Sequence, residues 1–196
     1  MRYVVYKGRC YVPMSRKIVH GVRHGEAWHN ILFPRLGHLA YTTFADSTLT
    51  VCGMKQAIDN RNQVKPDIVY VSPLTRTLQT ATLMFPDTPT VALEYLKEYP
   101  QHTEIINRRS NKSDLEALFP KVDFSQIKVE QDKLFESGPP LQILETCCCR
   151  VREIVQANSA QNIMLVTHSS WLKYFMHGHL DNIDEELEHC TPYLMK

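Results

Sequence analysis

Short apolar runs alternate with longer amphipathic stretches along the chain. Apolar runs that each end at a polar cluster predict β-strands, and they cover residues 18–22, 67–72, 90–96 and 162–167. Between them, capping residues and apolar positions at helical spacing predict helices, over residues 50–62, 73–85 and 141–158. Strands that alternate with helices predict an α/β fold whose largely parallel sheet is covered on both faces.

The length of 196 residues predicts one domain, since two domains would each be small. Residues 1–16 form an N-terminal extension in this interpretation, and the Tyr-Val alternation around Lys7 and Gly8 predicts a hairpin or an edge strand there. Residues 99–140 are predicted to be an insert, with residues 115–140 as a lid or side wall, because insertions on α/β scaffolds gather over the site and set specificity.

Composition and charge narrow the class of protein. Hydrophobic residues make up 43% of the chain and charged residues 22%, which predicts a packed core. The formal net charge of +1 provides no general attraction for nucleic acid or an anionic membrane. No stretch approaches the roughly 18 to 20 apolar residues of a membrane span, and no signal peptide is evident. We therefore expect a cytoplasmic protein with neither a nucleic-acid nor a membrane partner, and the pattern leaves the oligomeric state open.

The six cysteines do not have the spacing of a disulfide framework or a metal site. Cys147, Cys148 and Cys149 are consecutive and the other three are scattered, so we expect ordinary reduced thiols. The histidines other than His24 and His168 also lack the spacing of metal ligands. We expect surface or packing roles for these histidines, which are His20, His29, His38, His102, His177, His179 and His189.

Polar side chains with catalytic potential follow the predicted strands. In an open parallel sheet the ligand site lies beyond the carboxyl ends of the strands. In chain order, the residues at these ends are Arg23 and His24, Ser72 and Arg76, Glu98, then His168 and Ser169. Each of them alone is more often structural or solvent-exposed than catalytic. Because four strand ends together supply two histidines, two arginines and a carboxylate, we predict one catalytic site.

These residue types suit phosphoryl transfer. A neutral imidazole is a competent nucleophile near neutral pH, and His24 is the candidate. Guanidinium groups bind phosphoryl oxygens with planar paired hydrogen bonds, which Arg23 and Arg76 would supply. Glu98, desolvated beside a phosphate, would protonate the leaving oxygen. His168 would hydrogen-bond the phosphoryl group, with the Ser169 amide as a further donor at a helix N-terminus.

The segment VRHGE at residues 22–26 resembles the RHGE signature of the histidine phosphatase superfamily, the phosphoglycerate mutase-like proteins. Asn30 matches the asparagine of the family pattern RHGExxxN. Further segments resemble family motifs in the same order, at residues 49–57, 72–81 (SPLTRTLQTA), 96–98 and 166–169. The resemblance spans residues 17–175. It implies a three-layer α/β/α sandwich with a mostly parallel central sheet, no metal or cofactor, a phosphohistidine on His24, and Asn30 on the phosphate of a small phosphorylated substrate.

The chain departs from the family mutases after the proton donor. The mutases carry a longer, Arg-rich insert there, whereas residues 99–111 read YPQHTEIINRRSN, which is more similar to mutase-like proteins of fungi and plants. We therefore expect water to be the final acceptor of the phosphoryl group, in a phosphomonoester hydrolase. Two alternatives stay open: a cofactor-dependent phosphoglycerate mutase, and a non-catalytic protein that binds a phosphorylated ligand.

Arg108 and Arg109 are further candidates for substrate binding. They follow Glu98 closely and would contact a second acidic group of the substrate. The other interpretation of the pair is a solvated loop. If they bind substrate, replacing both by Ala should raise KM selectively for multiply charged substrates.

Overall fold

The structure is a computed structural model that describes residues 4–6, 9–11, 17–61, 63–100, 104–132, 140–180 and 186–195, the first two segments by their backbone alone. The helices are α1 Trp28–Leu36, α2 Leu39–Thr43, α3 Val51–Asp59, α4 Thr75–Met84, α5 Lys112–Leu118, α6 Pro140–Ala157 and α7 Ser169–His177. The strands are β1 Val4–Tyr6, β2 Arg9–Tyr11, β3 Ile18–Arg23, β4 Ile68–Val71, β5 Thr90–Ala92, β6 Val122–Asp123, β7 Asn162–Thr167 and β8 Pro192–Leu194.

The central sheet has six strands in the order β6-β5-β4-β7-β3-β8. All neighbouring pairs are parallel except β3 with β8. The predicted α/β fold with a mostly parallel sheet is thus confirmed. In the N-terminal extension, β1 pairs antiparallel with β2, as the alternating pattern predicts, while Lys7 and Gly8 lie outside the described residues.

Helices cover both faces of this sheet, which gives the three-layer sandwich that the resemblance implies. On β7, Ile163 and Leu165 pack in one core with α6 and α7, around the buried Trp171. The alternate residues Met164 and Val166 pack in a second core against α4, on the opposite face. Successive strand residues point to opposite faces, so a strand buried on both sides is apolar throughout.

Strand register brings the ends of the central strands to one level. Arg23 pairs with Thr167 in the β3/β7 ladder, and Val71 pairs with Val166 in the β4/β7 ladder. Because parallel strands end at the same edge, His24, Ser72 and His168 leave the sheet side by side. The ladder therefore brings these three residues to the same edge of the sheet.

The sequence places two boundaries wrongly near this edge. The predicted strand over residues 90–96 is β5, which ends at Ala92. Residues Glu94–Leu96 form a 3₁₀ helix instead of continuing the strand, so Glu98 follows a helical turn. Helix α4 begins at Thr75, two residues after the predicted Pro73. At this start the Asp46 carboxylate accepts hydrogen bonds from the Thr75 amide (2.7 Å) and hydroxyl (2.8 Å), so it satisfies an amide that has no acceptor within the helix.

The predicted insert contributes to the sheet and to its core. Strand β6 extends the sheet beside β5, and Leu115, Phe124 and Ile127 are buried in the second core. Residues 112–127 therefore form a side wall at the sheet edge. The rest of the segment predicted as a lid includes residues 133–139, which lie outside the described residues.

Two glycines allow the turn after β3 to pack against α3. A Cβ on Gly25 would lie 2.5 Å from the Gly53 carbonyl oxygen, and a Cβ on Gly53 would lie 2.0 Å from the Glu26 carbonyl oxygen. These contacts are backbone against backbone, so a side chain could be accommodated only by moving one element away from the other. The close approach fixes the turn that carries His24.

Candidate active site

Helix and strand termini bring the predicted catalytic side chains together at the carboxyl edge of the sheet. His24 (2% exposed), Arg76 and His168 are buried there, and the His24 and His168 ring centroids lie 5.2 Å apart. Arg23 is buried as well, and Glu98 is partly buried at the same edge, where the charges of both arginines act on it. Five predicted residues thus share one site.

The His24 ring is held in one tautomer. Its Nδ1 lies 2.7 Å from the Gly25 carbonyl oxygen, which can only accept, so Nδ1 carries the proton. Burial and the positive charges of Arg76 and Arg23 hold the pKa of His24 well below its ordinary value. The imidazole is therefore neutral at pH values near neutrality, and the lone pair is on Nε2.

Arg76 projects from the first turn of α4 into the buried site. Its terminal nitrogens donate to the Ile106 carbonyl oxygen (3.1 Å) and to Asn107 Oδ1 (3.0 Å). Its Nε is buried and has no hydrogen-bond partner among the described residues. Burial lowers the pKa of Arg76 to about 10, so the side chain keeps its charge at neutral pH. The guanidinium is oriented by the protein and retains donor capacity for an anion.

Arg23 is oriented by the C-terminal segment of the chain. Its guanidinium donates to the Leu187 carbonyl oxygen at 2.7 Å and to Glu186 Oε2 at 2.6 Å. As in Arg76, the Nε is buried and unpartnered among the described residues. An unsatisfied buried N–H is costly, and an anion at this position would remove that cost for both arginines.

Glu98 has the protonation behaviour of an acid catalyst. Its Oε1 accepts a hydrogen bond from the Tyr99 amide at 2.8 Å. Burial raises the pKa of Glu98 to about 7, against the opposing effects of that hydrogen bond and of Arg76 and Arg23. The carboxyl group is therefore protonated in a substantial fraction of molecules at neutral pH.

His168 and Ser169 lie at the start of α7. The His168 Nε2 is 2.9 Å from Ser72 Oγ, while its Nδ1 is buried with no partner among the described residues. Burial, then the charge of Arg76, lowers the pKa of His168 well below its ordinary value. Ser169 is the first residue of α7, where backbone amides lack intrahelical acceptors. Its hydroxyl accepts from the Leu187 amide at 2.9 Å.

The three remaining predicted substrate contacts differ in placement. Asn30 lies in the first turn of α1, and its Oδ1 accepts from the Ala27 amide at 2.9 Å, which orients the side-chain amide. Arg108 is exposed after the 3₁₀ helix Ile105–Asn107. Arg109 is only 3% exposed, and its Nε donates to Glu94 Oε1 at 2.6 Å.

Arg109 is committed to the protein interior. Besides Glu94, its guanidinium donates to the carbonyl oxygens of Glu130 (2.7 Å) and Val129 (2.8 Å), and its amide donates to Asp132. Asp132 also forms a fully buried ion pair with Lys97, the neighbour of Glu98. Arg109 is thus neither a solvated loop residue nor an available anion ligand. The network fastens the Glu98 segment to residues 129–132.

Sequence reasoning missed two histidines of the site. The ring centroids of His29 and His189 each lie 5.7 Å from that of His24, and His29 is buried. His189 Nδ1 contacts the His24 carbonyl oxygen at 2.6 Å, and the Cys190 amide donates to the Arg23 carbonyl oxygen at 3.0 Å. These contacts fit the expected packing role, and they place both rings beside the nucleophile candidate. The position of His29 next to Asn30 is a usable local signal, whereas His189 has no such signal.

Within the described ranges no group of three His, Cys, Asp or Glu side chains could hold a metal ion. None of the helices in these ranges has both the length and the apolar composition of a membrane span. Among the described residues, Cys52, Cys190 and the consecutive triplet form no disulfide.

Comparisons with known proteins show a family and a similar fold. The family model described as "Histidine phosphatase superfamily (branch 1)" matches residues 19–191. A phosphoglycerate mutase-like protein of Arabidopsis thaliana is 29% identical, over 89% of this chain and 78% of that protein. A mutant phosphoserine phosphatase of Entamoeba histolytica bound to phosphoserine has a similar fold, with a TM-score of 0.59, 21% identity and coverage of 92% and 95%. For a phosphoglycerate mutase of Thermus thermophilus, the TM-score is 0.52 at 20% identity, with coverage of 90% and 91%.

Proposed function

Because the chain belongs to the histidine phosphatase superfamily, branch 1, we propose that it is a metal-independent phosphomonoester hydrolase that carries the phosphoryl group on His24. The observation that carries the proposal is the state of His24: a buried, neutral imidazole with its proton on Nδ1, beside two buried arginines. A nucleophile and its charge-stabilising groups are then in place before the substrate binds.

In the first step, the lone pair on His24 Nε2 attacks phosphorus, and the bond between phosphorus and the leaving oxygen breaks. Glu98 gives its proton to the leaving oxygen, which departs as an alcohol. Arg23 and Arg76 stabilise the charge on the three equatorial oxygens through donors that include their Nε–H groups, which have no partner in the described part of the chain. The products are a phosphohistidine, an ionised Glu98 and the free alcohol.

His168 serves as a neutral hydrogen-bond donor in this proposal. If the Ser72 hydroxyl donates to Nε2, the proton of the neutral ring is on Nδ1, the nitrogen that has no partner among the described residues. That N–H and the Ser169 amide at the start of α7 would bind the phosphoryl oxygens, and the Asn30 amide would contact the same group.

In the second step, water attacks the phosphohistidine. The ionised Glu98 accepts a proton from the water, a bond forms between the water oxygen and phosphorus, and the bond between phosphorus and Nε2 breaks. The cycle returns neutral His24 and protonated Glu98 and releases phosphate. A mutase would instead return the phosphoryl group to a phosphorylated alcohol and would require a bisphosphorylated primer.

Phosphate release from a panel of monoesters tests the proposal. The panel contains sugar phosphates, phosphoglycerates, nucleotides and a phosphopeptide, with EDTA present throughout. We expect the wild type to release phosphate, and we expect the rate of His24→Ala to be lower by a factor of at least about a thousand. His177→Ala, which removes an exposed histidine at the end of α7, is the matched control.

Two outcomes would contradict the proposal. Turnover that EDTA abolishes would show that a metal ion is required. The wild type could also release no phosphate from any ester of the panel and catalyse phosphoryl exchange only when a bisphosphorylated primer is added. That result would identify a mutase.

A further inference from the structure

An unbroken series of ring contacts runs from the nucleophile to the protein surface. The His29 ring lies 5.7 Å from that of His24 and 5.9 Å from that of Tyr41. Tyr41 in turn stacks on Phe33, with centroids 4.9 Å apart and planes inclined by 20°. His38 contacts both of the last two rings edge-on. We call His29, Phe33, His38 and Tyr41 the aromatic wall.

The wall is fixed by the fold before any substrate is present. His29 and Phe33 are four residues apart on α1, so they occupy one helix face. Gly37, with φ of 55°, turns the chain so that α2 brings Tyr41 against that face. At the inner end, His29 Nδ1 lies 2.7 Å from Ser47 Oγ. At the outer end, Phe33 is 39% exposed, so the wall reaches solvent.

Carboxylates lie near the same rings. Glu186 contacts Arg23 at 2.6 Å, and Glu104 directly precedes the 3₁₀ helix whose carbonyl and side-chain oxygens hold Arg76. Together with Glu98, both carboxylates act electrostatically on the Tyr41 hydroxyl. Burial first, then these three negative charges, raises the pKa of Tyr41 to about 12, so the phenol stays neutral. The His24 site therefore carries two arginines, whereas the side chains about Tyr41 are acidic and aromatic.

We propose that the aromatic wall is the leaving-group subsite, and that this enzyme takes phosphomonoesters of ring-containing alcohols that are neutral or cationic rather than those that carry a second acidic group. The inference rests on the proposed function, because it assumes that the phosphoryl group lies at His24. A planar ring has a flat apolar surface to contact on Phe33 and Tyr41. A second anionic group beside the leaving oxygen is repelled by Glu104 and Glu186.

A matched series of phosphate monoesters tests the preference for a planar ring and the discrimination against a second acidic group separately. The esters are benzyl phosphate, cyclohexylmethyl phosphate, para-carboxybenzyl phosphate and para-aminomethylbenzyl phosphate, whose leaving alcohols have similar acidity. We expect kcat/KM for benzyl phosphate to exceed that for cyclohexylmethyl phosphate by about fivefold. The para-carboxy ester should be poorer than benzyl phosphate by about tenfold, and the para-aminomethyl ester equal or better.

Variants assign these preferences to the wall and to the carboxylates. Phe33→Leu should remove most of the preference for benzyl over cyclohexylmethyl, and Glu104→Gln should reduce the discrimination against the para-carboxy ester. Phe44→Leu is the matched control for Phe33→Leu, since Phe44 is 38% exposed and lies against a separate apolar cavity. Its preferences should equal those of the wild type.

Preferences that are the same in wild type, Phe33→Leu and Glu104→Gln would overturn the inference. So would a preference for the para-carboxy ester that disappears in Arg108→Ala, since the exposed arginine after the same 3₁₀ helix would then bind a second acidic group.

Binding without turnover separates failure of this inference from failure of the proposed function. Benzylphosphonate and cyclohexylmethylphosphonate cannot be hydrolysed, and calorimetry measures their affinities directly. We expect benzylphosphonate to bind about fivefold more tightly in the wild type and in Phe44→Leu, but not in Phe33→Leu. This difference would hold even if no ester were hydrolysed. Equal affinities in an enzyme that hydrolyses the esters would overturn the subsite and leave the phosphatase intact.

Discussion

Individual residues of the site have their protonation states set by burial. His24 and His168 are kept neutral because burial and the charges of nearby arginines lower the pKa of both imidazoles. Burial raises the pKa of Glu98 and so favours its protonated form, although the charges of the same arginines lower that pKa. A neutral nucleophile and a protonated acid can therefore coexist at the same pH, which is the pairing that the first step requires.

The pH dependence of kcat/KM tests this pairing. Since burial raises the pKa of Glu98 to about 7 in the free enzyme, the acid form is present below that pH and is lost as pH rises through it. The pKa of His24 is lowered, so His24 stays neutral over the same range. We expect kcat/KM to fall above about pH 7. Glu98→Gln should be slower by about a hundredfold or more and should lack this decline. A decline that persists in Glu98→Gln would assign it to another group.

Local elements differ in how far the sequence predicts them. β7 and the residues that follow it are predictable, because a strand buried on both faces is a continuous apolar run and its carboxyl end marks the site. Helix α1 is not predicted, since Pro34 interrupts its interior and a proline there usually ends a helix. The 3₁₀ turn before Glu98 is wrongly predicted as strand because its residues continue the apolar pattern of β5.

Packing between elements gives a second prediction, for the contact of α3 with the turn after β3. In Gly53→Ala the new Cβ meets the Glu26 backbone at 2.0 Å, whereas in Gly21→Ala it meets the ends of Leu172 and Met195, which can move. Gly53→Ala should lower the free energy of unfolding by about 3 kcal/mol or more, and Gly21→Ala by about 1 kcal/mol. Denaturant unfolding measures both. Equal losses would contradict the rigid backbone contact.

The whole molecule completes the site through contacts that are distant in sequence. Glu186, Leu187 and His189 reach Arg23 and His24 across more than 160 residues of chain, and no local pattern in the sequence predicts such contacts. The interior position of Arg109 is equally nonlocal, because its acceptors are the carbonyl oxygens of a loop about 20 residues further along the chain. Motif matching finds the residues adjacent to strand ends and misses the partners that only the folded chain supplies.

The direct test of the central claim is to trap the phosphoryl group on the enzyme. The wild type is mixed with the best ester of the panel, quenched in alkali within milliseconds, digested and analysed by mass spectrometry, with His24→Ala treated in parallel. Phosphohistidine is stable in alkali, so we predict a phosphorylated peptide that carries the modification on His24 in the wild type and none in the variant. A wild type that turns over the ester without any phosphorylated His24, or a variant that is phosphorylated at another residue and still turns over, would contradict the account.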